Sequence, residues 1–140
     1  MALPTQLRLQ IVAADKSLAN EMVDEVEIPG ADGYFGVLPG HTPLLALLGT
    51  GEMWYRRGTE THHLLISSGF AEVQPDAVTV LAEIAERAAD IDVARAEAAK
   101  RRAEERLARP TIDIDYERAR LALLKSLIRL QVASRARIRS

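Results

Sequence analysis

The sequence predicts an α+β chain in two parts: an N-terminal antiparallel β-sandwich of about ten strands, then a C-terminal antiparallel two-helix hairpin. Three observations predict it. Up to about Leu81, short runs of Val, Ile, Leu and aromatic residues are broken by Gly, Pro and Asp about every 8–12 residues, the rhythm of a sandwich or barrel. Residues 88–109 are then rich in alanine and free of glycine and proline, a strong helix-forming composition. Finally, the formal charge reverses, from -7 over residues 1–88 to +5 over residues 89–140. An acidic front and a basic tail point to two parts with different partners. The reading sets a sandwich at residues 1–87 and a helical part at 88–140.

The elements run in order along the chain. Leu7, Leu9 and Ile11 share one face of a first strand, with Arg8 and Gln10 on the other. Val26 and Ile28 alternate with Glu25 and Glu27 until Pro29-Gly30 stops the run. Met53 to Tyr55 leads through the turn Arg56-Arg57-Gly58 into His63 to Ser67. Gln74-Pro75-Asp76 divides Phe70–Val73 from Val78–Leu81. Beyond Arg87, Asp90 or Asp92 can cap a helix that Pro110 ends, and Asp113 or Asp115 can cap a second helix reaching about Arg135. Leu121, Leu124 and Ile128, flanked by Leu123, Leu127 and Leu130, form a broad apolar stripe on that second helix. The first helix offers mainly Ala98, Ala99, Ala103 and Leu107 in return, so the stripe needs the sandwich or another protein to cover it.

Composition excludes several classes of function. Mean hydropathy is -0.04, and no run approaches the ~20 apolar residues of a membrane span, so direct membrane insertion is not expected. The opening residues carry neither a secretory h-region nor an Arg/Ser-rich transit helix, which fits a bacterial cytoplasmic protein. There is no cysteine, hence no thiolate chemistry or Cys-built zinc site. Basic residues of the tail are interleaved with acids and accompanied by a single aromatic, Tyr116, a pattern that speaks against nucleic acid as a partner.

No catalytic constellation is visible. Gly30, Gly33 and Gly36 lie in a β-region and precede no Lys-Ser or Lys-Thr pair, so they make turns and not a phosphate loop. His62 and His63 are adjacent on a strand and point to opposite faces, so they do not jointly ligate a metal. Ser67-Ser68-Gly69 lacks a nucleophile-elbow context. His41, between Pro39-Gly40 and Thr42-Pro43, reads as a loop histidine whose imidazole satisfies backbone groups.

Three segments together resemble one family. Residues 33–45, Gly-Tyr-Phe-Gly-Val-Leu-Pro-Gly-His-Thr-Pro-Leu-Leu, are similar to the Gly-x-x-Gly-x-x-Pro-Gly-His-x-Pro run of the epsilon subunits of bacterial-type, proton-translocating rotary ATP synthases. Residues 68–81 resemble the later Gly-x-x-Glu-Val…Val-Thr-Val-Leu run, and residues 90–96 the opening of the first C-terminal helix. The likeness covers essentially the whole chain in the right order. It implies a ten-strand sandwich with a helix hairpin, bound to the gamma subunit of the central stalk and resting on the ring of c subunits. Proton flow through that ring is thereby coupled to ATP synthesis in the alpha and beta subunits. The resemblance further implies a non-catalytic subunit with no required cofactor, held peripherally at the cytoplasmic face of the bacterial inner membrane. Contact with the c-ring is expected from Tyr34, Leu38 and His41, with Tyr34 standing where many bacterial members carry an acid.

In this family the hairpin lies folded on the sandwich or extends into the alpha/beta catalytic head and inhibits ATP hydrolysis. Members that bind ATP as a regulatory ligand use an Ile-Asp-x-x-Arg-Ala motif, matched here by Ile91, Asp92, Arg95 and Ala96. By the same comparison Glu86, Arg102 and Arg129 belong to that site, and Lys125 stands in place of an arginine. Lysine is a point charge and not a bidentate fork, so phosphate recognition there is weakened. The alternative is local: Asp92 caps the helix and Arg95 pairs with it one turn on. From another class, the rival reading is a free-standing β-sandwich binding module with a helical oligomerisation arm.

Overall fold

The structure, a computed structural model, describes residues 3–14, 16–109 and 115–138. The chain divides into two compact units, residues 1–87 and 88–140. Among the described residues the first unit holds eight strands: β1 (Leu7–Ala13), β2 (Lys16–Val23), β3 (Glu25–Gly30), β4 (Gly33–Val37), β5 (Leu44–Leu47), β6 (Thr50–Arg57), β7 (Glu60–Gln74) and β8 (Ala77–Arg87). They hydrogen-bond in the order β2-β1-β8-β7-β6-β3-β4, with β5 also paired to β7.

Two strands are much longer than the short runs of the sequence suggest. β7 has 15 residues and β8 has 11, and each serves both layers of the sandwich. Ser68 and Gly69 bend β7 sharply, with φ of 62° and 121°. The bend inverts the alternation of faces: Leu64 and Ile66 enter the core before it, Ala71 and Val73 after it. On β8 the same switch takes the core positions from Val78, Val80 and Ala82 to Ala85. Counting the two halves of β7 and β8 separately gives the ten segments expected from the sequence. Glycine is required at position 69, because a Cβ there would overlap the carbonyl oxygen of Leu81 and crowd Ala82 Cα.

One pairing departs from a purely antiparallel sheet. β1 runs parallel to β8, with Leu9 opposite Val78 and Ile11 opposite Val80. These strands are joined by most of the unit and by no hairpin, so nothing local imposes an antiparallel orientation. The core between the layers is built from Leu7, Leu9, Ile11, Val26, Ile28, Met53, Tyr55, Leu64, Ile66, Val78 and Val80, all essentially inaccessible. At one end, Asp24 accepts from Gly58 N–H at 2.7 Å and from Gln6 Nε2 at 3.3 Å, with Arg56 3.5 Å away. These bonds join the β2–β3 corner to the β6–β7 turn and hold the Asp24 carboxyl below the usual aspartate range, the Gly58 amide contributing most.

The second unit opens with a 3₁₀ turn at Ala88–Asp90 and continues in α1 (Val93–Ala108) and α2 (Tyr116–Ile138). Asp92 is the cap of α1, its Oδ1 accepting from Arg95 N–H at 3.0 Å. Asp115 does the same for Arg118 N–H at 3.1 Å. Asp113 and Pro110 lie outside the described residues. Ile91 and Val93, at the start of α1, cluster with Ile128, Val132 and Ala133 near the end of α2, so the helices are antiparallel.

Their packing rests on small residues, and Leu121, Leu124 and Leu127 of the leucine stripe stay outside it. Apart from Val132, the buried positions are small: Ala96 and Ala103 on α1, Ala119, Ser126 and Ala133 on α2. Both sets recur every seven residues, two helical turns, which keeps them on one seam and lets the backbones approach closely. Leu121, Leu124 and Leu127 are exposed instead, each by more than 40%. Ser126 satisfies its hydroxyl within the helix by donating to Ala122 C=O at 2.9 Å. Among the described residues no helix is long and apolar enough to cross a membrane.

Candidate interaction surfaces and nucleotide site

On the sandwich, an apolar row crosses one outer face. Leu47 lies opposite Phe70, Phe70 opposite Leu81, and Leu81 opposite Val12, so four strands carry it side by side. Leu47 is 60% exposed, Phe70 51% and Leu81 51%, with Leu45 next to them at 70%. Large apolar side chains set contiguously in solvent are the mark of an interaction surface, whereas single exposed leucines are ordinary. This row is not apparent in the sequence. Its one signal is the run Leu44-Leu45-Ala46-Leu47-Leu48, which puts leucine on both faces of a strand whose core needs only one.

The three residues expected to meet the c-ring do not form one cluster. Tyr34 is the second residue of β4, while Leu38 and His41 lie beyond its last residue. Tyr34 and Leu38 are thus four residue steps apart along extended chain, roughly 13 Å. Leu38 is exposed. His41 is half-buried, its Nδ1 2.6 Å from Thr42 O, while its N–H donates to Leu38 O at 3.1 Å. Gly40 N–H donates to Pro75 O at 2.7 Å, fastening this loop to the β7–β8 turn. The Tyr34 hydroxyl is occupied within the fold, accepting from Glu52 N–H at 3.0 Å.

The histidine pair of β7 divides between faces. His62 stacks on Tyr55 with ring centroids 4.9 Å apart, and His63 Nδ1 lies 3.4 Å from Glu52 Oε2 on the other face. Among the described residues no group of three His, Asp or Glu side chains is arranged to hold a metal ion.

The proposed nucleotide residues are distributed over both units. Glu86 stands near the end of β8, opposite Leu65 of β7. The other seven belong to the helical unit. Ile91 is buried with Val132 and Ala133, and Ala96 is only 3% exposed, in the seam between the helices. Asp92 is engaged as the α1 cap. Arg95 and Arg102 are exposed and seven residues apart, so they share one stripe of α1. Lys125 and Arg129, half-buried and four apart, share one stripe of α2. The structure therefore brings together the local cap of the alternative reading, and it orders the cations as two pairs.

A family model described as the ATP synthase delta/epsilon chain β-sandwich domain matches residues 6–88, and its long α-helix domain matches residues 89–134. The ATP synthase epsilon chain of Nitratidesulfovibrio vulgaris (strain DP4) is 50% identical over 130 residues, 93% of this chain and 97% of that one. The epsilon chain of Syntrophobacter fumaroxidans is 47% identical over the same shares. Among solved structures, a chain of the Euglena gracilis mitochondrial ATP synthase superposes with a TM-score of 0.72 at 22% identity, covering 99% of this chain and 84% of that one. That last likeness speaks for the fold; the sequence matches speak for descent. With both parts matched in order and half the residues shared along nearly the full length of a relative, the chain belongs to the ATP synthase delta/epsilon family, among its epsilon chains.

Proposed function

We propose that the chain is a non-catalytic subunit of the central stalk, in which the sandwich binds the gamma subunit through the Leu45/Leu47/Phe70/Leu81 face. The observation that carries this is that row of exposed apolar side chains on a sheet whose inner face is already filled. Burying one large apolar side chain is worth about 1.5–3 kcal/mol, so four of them supply the centre of a protein interface. The Gly33–His41 segment, from the β3–β4 tip to the Leu38–His41 loop, then meets the ring of c subunits, and the subunit stays peripheral to the bacterial inner membrane on its cytoplasmic side.

The helical hairpin is the regulatory part. Its net charge over residues 89–140 is +5, and Leu121, Leu124 and Leu127 are presented on α2. Such a surface suits an element that restrains ATP hydrolysis by engaging the alpha/beta head. ATP bound to the Arg95/Arg102 and Lys125/Arg129 stripes is its regulatory ligand, and no cofactor is required.

Size-exclusion chromatography of the full chain with purified gamma subunit tests the reading. Co-elution is expected for the native chain and loss of it for Phe70→Glu and Leu47→Glu, with circular dichroism unchanged. A native chain that ignores gamma and self-associates instead would favour the free-standing module.

A further inference from the structure

The β3–β6 ladder stops early. Its last paired residues are Glu27 and Trp54, two positions before Pro29. Proline has no N–H to give to a neighbouring strand, and the Pro29 carbonyl accepts from Gly49 N–H at 2.9 Å instead. β3 therefore leaves β6 before reaching Glu52. Across this gap comes Tyr34, which is paired with Pro29 on β4 and whose hydroxyl accepts from Glu52 N–H at 3.0 Å.

Neighbouring glycines make the arrangement possible. A Cβ at Gly51 would overlap the Tyr34 hydroxyl and lie 2.8 Å from Pro29 Cβ, so only glycine leaves a seat for the ring. A Cβ at Gly30 would come within 2.7 Å of Gly33 O and 3.2 Å of the Phe35 ring, so the turn that delivers Tyr34 is also held tight by a missing side chain. The tip so fixed forms one wall of an open cleft of about 520 Å³, whose other wall is Leu44–Leu47.

We propose that Tyr34 is a positioning residue: its hydroxyl takes the place of the Pro29 carbonyl, which Gly49 N–H engages, as the acceptor for Glu52 N–H, and so fixes how the β3–β4 tip is presented. Tyr34 thus acts through the tip and is not itself the point of contact. The inference rests on the stalk reading only for what the tip is presented to, the ring of c subunits. A contact role would reside in the exposed ring, which phenylalanine keeps; a positioning role resides in the hydroxyl, which phenylalanine removes.

Tyr34→Phe in the full chain separates these roles. Amide hydrogen exchange measured by NMR should be about tenfold faster at Glu52, the loss of one hydrogen bond, with exchange unchanged in β1 and β8. In a reconstituted complex of this chain with gamma and the c-ring, the affinity for the ring should fall about tenfold. Unchanged exchange at Glu52 would overturn the proposal. So would faster exchange with unaltered ring affinity, the result of a purely local structural role. If the native chain has no affinity for the ring, the stalk reading fails, and the Glu52 exchange rate still decides whether Tyr34 holds the tip.

Discussion

Arg87, the last residue of β8, donates to the hydroxyl of Tyr55 on β6 at 3.3 Å, and its second guanidinium nitrogen donates to the carbonyl of Leu18 on β2. One side chain thereby ties three strands at the point where the sandwich unit ends. A sandwich tied together by its own last residue is expected to fold without the helical unit. Residues 1–87 alone should therefore give a β-type circular dichroism spectrum and a cooperative melt. Arg87→Ala should lower the unfolding free energy by about 1–3 kcal/mol, the range for charge-assisted bonds to partly buried partners. A truncated chain that stays unfolded would contradict the independence of the unit.

Asp24 gives a pH dependence with a definite sign. Its carboxyl is held below the ordinary value of 3.8 by the Gly58 amide first, then by Gln6 and Arg56. A group depressed on folding adds stability that is complete above its unfolded-state value. That stability is lost as pH falls from there through the lower folded-state value. Asp24→Asn should flatten the fall of stability on acidification below about pH 4, read as urea midpoints at a series of pH values. Equal acid dependence in the two proteins would remove Asp24 from the account.

Gly69 and Gly36 should respond very differently to the same change. At Gly69 a methyl group meets backbone, and φ is 121°, so Gly69→Ala should destabilise by about 3 kcal/mol or more. At Gly36 a Cβ meets nothing within 4 Å, and Gly36→Ala should stay within about 1 kcal/mol of the native chain. Urea denaturation of both variants checks the pair. Similar losses would mean that the bend in β7 is not where the fold turns from one layer to the other.

That bend is also where the sequence ceases to be legible. The strands on either side of it are plain from alternation: Leu7, Leu9 and Ile11 point inward, and so do Val26 and Ile28. Alternation fails between Ile66 and Ala71, because a positive φ at Ser68 and Gly69 turns the strand over without breaking it. A pattern of period two carries no mark for such an inversion, so one long strand reads as two short ones. In the helices, hydrophobicity selects Leu121 and Leu124, while close packing selects Ala96, Ala103, Ala119 and Ser126. Small residues have little transfer energy to advertise, although only they let the helices close. The Asp92 cap is legible because a side-chain oxygen before an apolar-poor helix has few other uses. The outer row of Leu47, Phe70 and Leu81 is not, since its members come from three strands and meet only through register.

For the nucleotide, the two roles of the Asp92–Ala96 segment separate by substitution. Asp92→Ala removes the α1 cap and should destabilise the helical unit by about 1 kcal/mol whether or not ATP is present. Arg95 is exposed, so Arg95→Ala should change intrinsic stability little. Millimolar ATP should raise the melting temperature of the native full chain by binding the folded state, and Arg95→Ala should abolish that rise. No shift in the native chain at millimolar ATP would leave Asp92 and Arg95 as a helix cap alone.

ATP hydrolysis by the reconstituted enzyme, with this chain supplied whole or without residues 89–140, decides whether the hairpin restrains the catalytic head. A hairpin that restrains the catalytic head must favour one of two arrangements, and shifting from mostly one to mostly the other takes about 5 kcal/mol of differential binding. On the proposed reading, removing the hairpin removes that choice and leaves the sandwich to hold gamma and the ring. Higher hydrolysis is expected with the shortened chain, most clearly at low ATP, with proton-driven synthesis largely intact. Hydrolysis unchanged by the deletion across all ATP concentrations would contradict that restraint.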